Sequence, residues 1–103
     1  MMIVAITIQD TPFYYEVTDE VGNNLYELQL EFGSWASKIE GNHPFRIYTE
    51  FIESNGEVSF ADYVYTYGPD DFIGWINVEK YHEKVAVKIK NPSQLSPAVT
   101  IHF

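Results

Sequence analysis

The segment FRIYTEFIESNGEVSFADYVYTY, residues 45–67, decides how the sequence is interpreted. At its centre lies Asn55-Gly56, a dipeptide typical of a two-residue type I′ hairpin turn, because both residues of that turn need positive φ angles. The residues on either side alternate in the period-two pattern of β-strands. The segment therefore predicts an antiparallel hairpin with Asn55-Gly56 as its turn.

This turn fixes the register of the predicted hairpin. Counting outward places Phe51 opposite Phe60 on one face, which we expect to be a buried core face. Ile52 is then expected opposite Ser59 on the other face. That second face carries a group of large side chains, here named the tyrosine face: Arg46, Tyr48, Tyr63, Tyr65 and Tyr67.

Short strands are also predicted along the rest of the chain. Residues 25–32 are interpreted as a half-buried strand, because the apolar residues from Tyr26 to Phe32 alternate with polar ones. Residues 9–12 are interpreted as a turn and residues 19–24 as a polar loop. Further strands are expected at residues 2–8, 13–17, 72–79, 84–90 and 98–103.

Seven or eight short strands without a long helix predict an all-β fold, either an antiparallel β-sandwich or a small barrel. Residues 34–40 are expected to form at most one short helical turn, since two turns are marginal without packing. A chain of 103 residues with 46% hydrophobic residues fits a single β domain, residues 1–103.

The charge of the chain restricts its partners. Fifteen acidic and six basic residues give a net charge of −9, which opposes direct binding to nucleic acid or anionic lipid. Residues 80–103 are net basic, and we interpret them as a basic strand beside acidic neighbours, with a basic docking strip as the alternative. The sequence has no cysteine and no visible targeting segment or membrane span, so a soluble cytoplasmic protein is expected.

The sequence contains no motif for nucleophilic, phosphate-binding or dinucleotide chemistry. His43, His82 and His102 lie too far apart to form a local metal-binding pair, so we predict no metal and no cofactor. Asp62 is the one carboxylate to consider for acid–base chemistry, because the register places it opposite Thr49 on the core face. A structural hydrogen bond is the favoured role for Asp62, and we predict a protein that is not an enzyme.

The tyrosine face is the predicted functional surface. Exposed aromatic patches bind partners, so we expect a non-enzymatic interaction or assembly module that binds a protein partner or forms a homo-oligomer. Trp35 and Trp75 are candidates to complete this surface. The alternative is that the loop carrying Trp35 and Ile39 covers the tyrosines.

Other functions stay open at this point. An acidic inhibitor could mimic nucleic acid in a basic cleft, and a carbohydrate-binding module or a small hydrolase using Asp62 are further alternatives. Residues 17–23 (VTDEVGN) and 96–103 (SPAVTIHF) resemble parts of the DP-EP β-sandwich family, whose members can cleave themselves at an Asp-Pro bond. This sequence contains no Asp-Pro, so the resemblance implies no activity and no site residue.

Overall fold

The structure is a computed structural model that describes residues 1–40, 43–90 and 95–103. A π-helical turn, Ile76–Lys80, continues the third helix. The other elements, in chain order, are β1 (Met2–Ile8), β2 (Thr11–Val17), α1 (Asp19–Asn23), α2 (Leu25–Ser37), β3 (Arg46–Ile52), β4 (Val58–Tyr65), α3 (Pro69–Trp75), β5 (Ala86–Lys88) and β6 (Val99–His102).

Four of the strands form a mixed sheet with the order β5-β2-β1-β6. Strand β2 runs antiparallel to β1 and β5, whereas β6 runs parallel to β1. The strands predicted at residues 2–8, 13–17 and 98–103 are thus present with small changes in their bounds. The strand predicted at residues 84–90 is shorter, Ala86–Lys88, and it pairs with β2.

The turn between β1 and β2 is shorter than predicted. Gln9 and Asp10 alone form it, with φ angles of 48° and 66°. Positive φ at both turn residues is the type I′ pattern, which matches the twist of the two strands. Neither residue is a glycine, so the turn holds two side chains in a backbone region that L-residues rarely adopt.

The strand predicted for residues 25–32 is wrong, because these residues begin the 13-residue helix α2. Leu25, Leu28, Phe32 and Ala36 are buried, and their spacing of three or four positions is that of one helix face. Leu28 and Phe32 fit a period of two equally well. Leu30 completed the apparent alternation, yet it is 59% exposed.

The predicted loop at residues 19–24 contains the short helix α1. Thr18 is its N-cap, since the Thr18 hydroxyl accepts a hydrogen bond of 3.3 Å from the Val21 amide. Asp19 and Glu20 follow in the first turn, where negative charge is favourable. The Thr-Asp-Glu run is therefore a helix start that the sequence analysis interpreted as a polar loop.

The strand predicted at residues 72–79 is also wrong, because these residues lie in α3 and the π-helical turn. Pro69 occupies the first turn, where a helix needs no amide hydrogen. The Asp71 carboxylate accepts a hydrogen bond of 2.8 Å from the Gly68 amide. Phe72 and Ile76 are both fully buried, which is the spacing of one helix face.

The core lies between one face of the four-stranded sheet and the helices. The fold is therefore α+β, and the prediction of an all-β sandwich or barrel is wrong, since a sandwich needs a second sheet where helices lie instead. On the opposite sheet face Glu16 and Val87 are exposed. The largest fully buried side chains are Tyr15, Phe32, Phe72, Ile6, Leu25 and Ile76.

Strands β3 and β4 form a separate two-stranded antiparallel sheet, here named the arm. The predicted register is confirmed from the Arg46–Tyr65 pair to the Phe51–Phe60 pair. The next pair differs, because Ile52 is opposite Val58 after a β-bulge.

The predicted type I′ turn of the arm is also wrong. Gly56 has a φ of 86°, but Asn55 is not among the residues with positive φ. The Glu53 amide donates a hydrogen bond of 2.8 Å to the Glu57 carbonyl, so residues 54–56 form a three-residue loop. Within it the Gly56 amide donates a hydrogen bond of 2.9 Å to the Glu53 carbonyl. The bulge beyond the loop restores the register that the shorter turn would have given.

Candidate functional site

The arm stands apart from the rest of the fold. Its two strands pair extensively with each other, and by the positions of their Cα atoms no other described strand or helix approaches them over more than a short stretch. The described chain is correspondingly elongated, with extents of 54 × 30 × 20 Å. A two-stranded hairpin is at best marginally stable by itself in water, so a second surface is expected to support the arm.

The backbone register of the arm keeps the residues of the tyrosine face together. Arg46 is opposite Tyr65, and Tyr48 is opposite Tyr63. The side chains of residues 46–49, 51 and 59–65, which include Asp62, lie outside the described part. The tyrosine face and the role of Asp62 therefore stay predictions, as does the covering of this face by Trp35 and Ile39.

Tyr67, the fifth predicted residue, follows the arm and is half-buried. Its ring centroid lies 4.9 Å from that of Phe32, in an edge-to-face arrangement. It therefore belongs to an aromatic cluster around Phe32 at the base of the arm. The other rings of this cluster, with centroids 5.4 to 6.4 Å from Phe32, are Trp35, Phe45, Phe72, Trp75 and Phe103.

Beside this cluster lies a pocket of about 310 Å³, here named the aromatic pocket. Helix α2, the segment that enters the arm, α3 and the π-helical turn all contribute to it. Its described lining residues are Trp35, His43, Phe45, Asp70, Asp71, Gly74, Trp75, Val78 and Glu79.

Aromatic rings form the walls of the pocket. The Trp35 centroid lies 6.3 Å from that of Trp75 and 6.4 Å from that of Phe45. The His43 ring packs against Phe45 at 5.0 Å, and its Nδ1 atom accepts a hydrogen bond of 3.1 Å from the Phe45 amide. These contacts fix the orientation of the rings at the point where the chain enters the arm.

Trp75 contributes an unpaired hydrogen-bond donor. The residue is 6% exposed, and its Nε1 atom is buried with no acceptor within hydrogen-bonding distance among residues 1–40, 43–90 and 95–103. A buried donor without a partner costs about 1 to 3 kcal/mol, and buried indole N–H groups are usually paired. Because the atom has almost no accessible surface, this donor is an unsatisfied group inside the aromatic cluster and is not presented to the pocket.

Three carboxylates give the pocket a negative rim. Asp71 caps α3 through the Gly68 amide, and Asp70 is occupied by two donors described below. The Glu79 carboxylate makes no hydrogen bond or ion pair with the described residues. No lysine or arginine is among the described lining residues, so the lining of the pocket carries a net negative charge.

A polar network that is partly exposed to solvent lies on the other side of Asp70. The hydroxyl of the fully buried Tyr15 donates a hydrogen bond of 2.6 Å to Asp70 Oδ1, and Lys88 Nζ donates one of 3.0 Å to Oδ2. Burial raises the pKa of Tyr15 above its ordinary value, and the Asp70 carboxylate raises it further. The hydrogen bond from Tyr15 is the largest cause that lowers the pKa of Asp70. Tyr15 is therefore protonated and Asp70 ionised at neutral pH, and the hydrogen bond between them joins α3 to the sheet.

Two lysines of the basic segment form ion pairs with acidic residues, as the first interpretation of its charge expected, but only Lys88 lies in a strand and Lys80 ends the π-helical turn. Lys80 lies 2.7 Å from Glu31 of α2, and Lys88 lies 3.0 Å from Asp70 of α3. Lys84, Lys88 and Lys90 line a groove of about 350 Å³ beside the edge strand β5. The second interpretation of the basic segment, a docking strip, would correspond to this groove.

Asn77 closes part of the free edge of β5. Its Oδ1 atom accepts hydrogen bonds of 2.8 and 3.0 Å from the Val85 and Ala86 amides. Its Nδ2 atom donates one of 2.9 Å to the Ala86 carbonyl. The side-chain amide thus pairs with β5 as another strand would, which limits strand addition at this edge.

The three histidines lie on different parts of the fold. His43 is at the entrance of the arm, His82 follows the π-helical turn with a φ of 53°, and His102 contacts Thr7 across the sheet edge. Within the described ranges no group of three or more His, Asp or Glu side chains is placed to hold a metal ion. In the same ranges no helix has both the length and the hydropathy for crossing a membrane.

The comparisons with known proteins do not assign the chain to a family. No protein-family model, no curated protein and no solved structure matches it. The geometry of the arm and of the aromatic pocket is therefore the basis for a functional hypothesis.

Trp35 and Trp75 were predicted to complete the tyrosine face, but the pocket that they line together was not predicted. The residues that line the pocket come from four separate segments, so no local sequence motif predicts it. The one available signal was Gly68-Pro69-Asp70-Asp71, because a helix starting there places Asp71 and Trp75 one turn apart.

Proposed function

We propose that the chain is a non-enzymatic interaction module that binds a basic protein partner through its arm. The observation that carries the proposal is the separate two-stranded sheet, whose strands pair with each other and hardly contact the rest of the described fold. Successive residues of a strand belong to opposite faces, so the sequence assigns Ile, Phe, Val and Tyr residues to both faces of the arm. A partner surface would stabilise it.

The composition of the arm supports a protein partner. Tyrosine gives a large contact area at a low cost in side-chain entropy, and its hydroxyl tolerates water before the partner binds. Tyr48, Tyr63 and Tyr65 lie on the same face of the ribbon by register. The arm is itself acidic and the chain carries a net charge of −9, which favours a basic partner over a second copy of this chain.

The test compares arm variants with a control outside the arm. Tyr63→Ala and Tyr65→Ala should each weaken binding to a purified partner by about 1 to 2 kcal/mol, the scale of an interface hot spot. Tyr26→Ala removes a tyrosine that is 61% exposed on α2 and should leave binding unchanged. Thermal midpoints measured on all three proteins separate lost binding from lost folding.

A variant in which residues 47–64 are replaced by a Gly-Ser linker extends the test. If this protein keeps its sheet by circular dichroism and still binds the partner with full affinity, the arm is not the binding element. Sedimentation of the wild-type protein alone tests whether the chain forms a homo-oligomer. A dimer that requires the arm would contradict the proposal that the arm binds a basic protein partner.

A further inference from the structure

The walls of the aromatic pocket suit a positively charged organic group. A guanidinium or ammonium within about 6 Å of an aromatic ring centroid is attracted by the negative face of the ring, and tryptophan is the strongest such ring. Trp35 and Trp75 both line the pocket, with their ring centroids 6.3 Å apart and their planes tilted by 47°. A planar guanidinium can also stack on such rings, which an ammonium group cannot do.

The charge of the rim points in the same direction. Asp70 is already neutralised by Lys88 at 3.0 Å, which leaves Asp71 and Glu79 as the carboxylates without a described cation. An anionic ligand would be repelled here. A bare metal ion is not favoured, because the described side chains offer no group of three metal ligands. An organic cation is therefore the ligand class that fits both the walls and the rim.

The size of the pocket narrows the ligand further. The volume of about 310 Å³ lies at the lower end of the range of ligand pockets, which fits one side chain rather than a large molecule.

We infer that the aromatic pocket binds an arginine side chain presented by the protein partner, with Trp35 and Trp75 in the wall beside it and Glu79 at its guanidinium. This inference rests on the proposed interaction function, since the partner supplies the arginine. It places a specificity site at the base of the arm, next to the ribbon that makes the broad contact. The pocket is open to small probes, so it can be tested without the partner.

The probes are Nα-acetyl-arginine methylamide and its neutral isostere, Nα-acetyl-citrulline methylamide. Both tryptophans of the chain line the pocket, so intrinsic fluorescence reports on this site. The arginine derivative should change the emission with saturation, and the citrulline derivative should bind at least about fivefold more weakly, because it lacks the charge. The indole N–H protons of both tryptophans should shift in NMR spectra as the arginine derivative occupies the pocket.

Glu79→Gln is the informative variant, because its side chain is exposed and has no described partner. It should weaken binding of the arginine derivative by about threefold to fivefold, the loss of one partly exposed charge. Glu16→Gln changes an equal charge on the opposite sheet face and should have no effect. Equal binding of both derivatives, or full affinity of the Glu79→Gln protein for the arginine derivative, would overturn the inference that the aromatic pocket binds arginine.

The two proposals fail in different ways. If the arginine derivative binds but the Tyr63→Ala and Tyr65→Ala proteins keep full affinity for the partner, the arm proposal fails and the pocket stands. If the arm variants lose the partner while the arginine and citrulline derivatives bind equally, the arm stands and the pocket is overturned.

Discussion

The Tyr15 hydroxyl lies 2.6 Å from Oδ1 of Asp70, although 55 residues separate the two in the sequence. This hydrogen bond joins the interior of strand β2 to the first turn of α3. Lys88 holds the second oxygen of the same carboxylate. The three residues thus connect the central sheet, its edge strand and the helix that carries half of the aromatic pocket.

Tyr15→Phe removes this hydrogen bond and should lower the free energy of unfolding at pH 7 by about 1 to 3 kcal/mol, the range for a bond to a charged group. Because the pKa of Tyr15 is raised in the folded protein, the unfolded chain releases the phenol proton first, near pH ~10. The stabilisation is therefore complete below that pH and is lost as pH rises above it. Urea unfolding at pH 7 and pH 11 should show a smaller effect of the mutation at pH 11. Tyr14→Phe on the opposite sheet face is the control, and an equal loss at both pH values would contradict the prediction.

Phe32→Ala should destabilise the protein by about 3 to 5 kcal/mol, because it empties the centre of the aromatic cluster. Tyr26→Ala lies on the same helix but on its exposed side, and it should change stability by less than about 0.5 kcal/mol. Denaturant unfolding of both variants distinguishes helix from strand. In a strand the two residues would share one face and their losses would be similar.

Asn77→Ala should destabilise by about 1 to 3 kcal/mol, since it leaves the Val85 and Ala86 amides without their side-chain acceptor. Asn77→Asp keeps an acceptor for the two amides, but its second oxygen replaces the donor 2.9 Å from the Ala86 carbonyl and is repelled by it, so this variant should also be destabilised. Thermal unfolding and light scattering on both proteins give stability and association together. An alanine variant as stable as wild type would mean that water replaces the amide at no cost.

Asp10→Gly should stabilise the protein by about 0.5 to 1 kcal/mol, because glycine adopts positive φ without the steric cost that Asp10 bears at 66°. Asp10→Ala keeps a side chain at this position and should give no gain. Equilibrium unfolding in urea measures both. A loss of stability in the glycine variant would show that the aspartate side chain itself supports the turn.

The register of the arm could be predicted because hairpin pairing depends on residues close in the chain. The three-residue loop ending at Gly56 and the bulge that follows it cancel each other, so the pairs from Phe51–Phe60 outward came out correctly despite the wrong turn type. The β1–β2 hairpin could be predicted for the same reason, because its paired residues are also close in the chain. Its β-branched and apolar residues form a strand pattern that no helix start interrupts.

The helices were missed because their buried residues satisfy two periods at once. Leu28 and Phe32 are four apart, which fits both a helix face and alternate strand positions. Start signals would have resolved the ambiguity, namely the Thr18 cap before α1 and Pro69 in the first turn of α3. The aromatic pocket could not be predicted, since its walls meet only after these helices pack on the sheet.

The separation of the arm from the four-stranded sheet divides the chain into parts that open at different free energies. Amide protons in β1 and β2 are held beneath a packed core, so their exchange with solvent deuterium requires unfolding of most of the protein. Amides of β3 and β4 can exchange when the ribbon alone opens, because little else must move with it. Protection of the arm amides is therefore the quantity that partner binding would raise most, and hydrogen exchange would map the contact residue by residue.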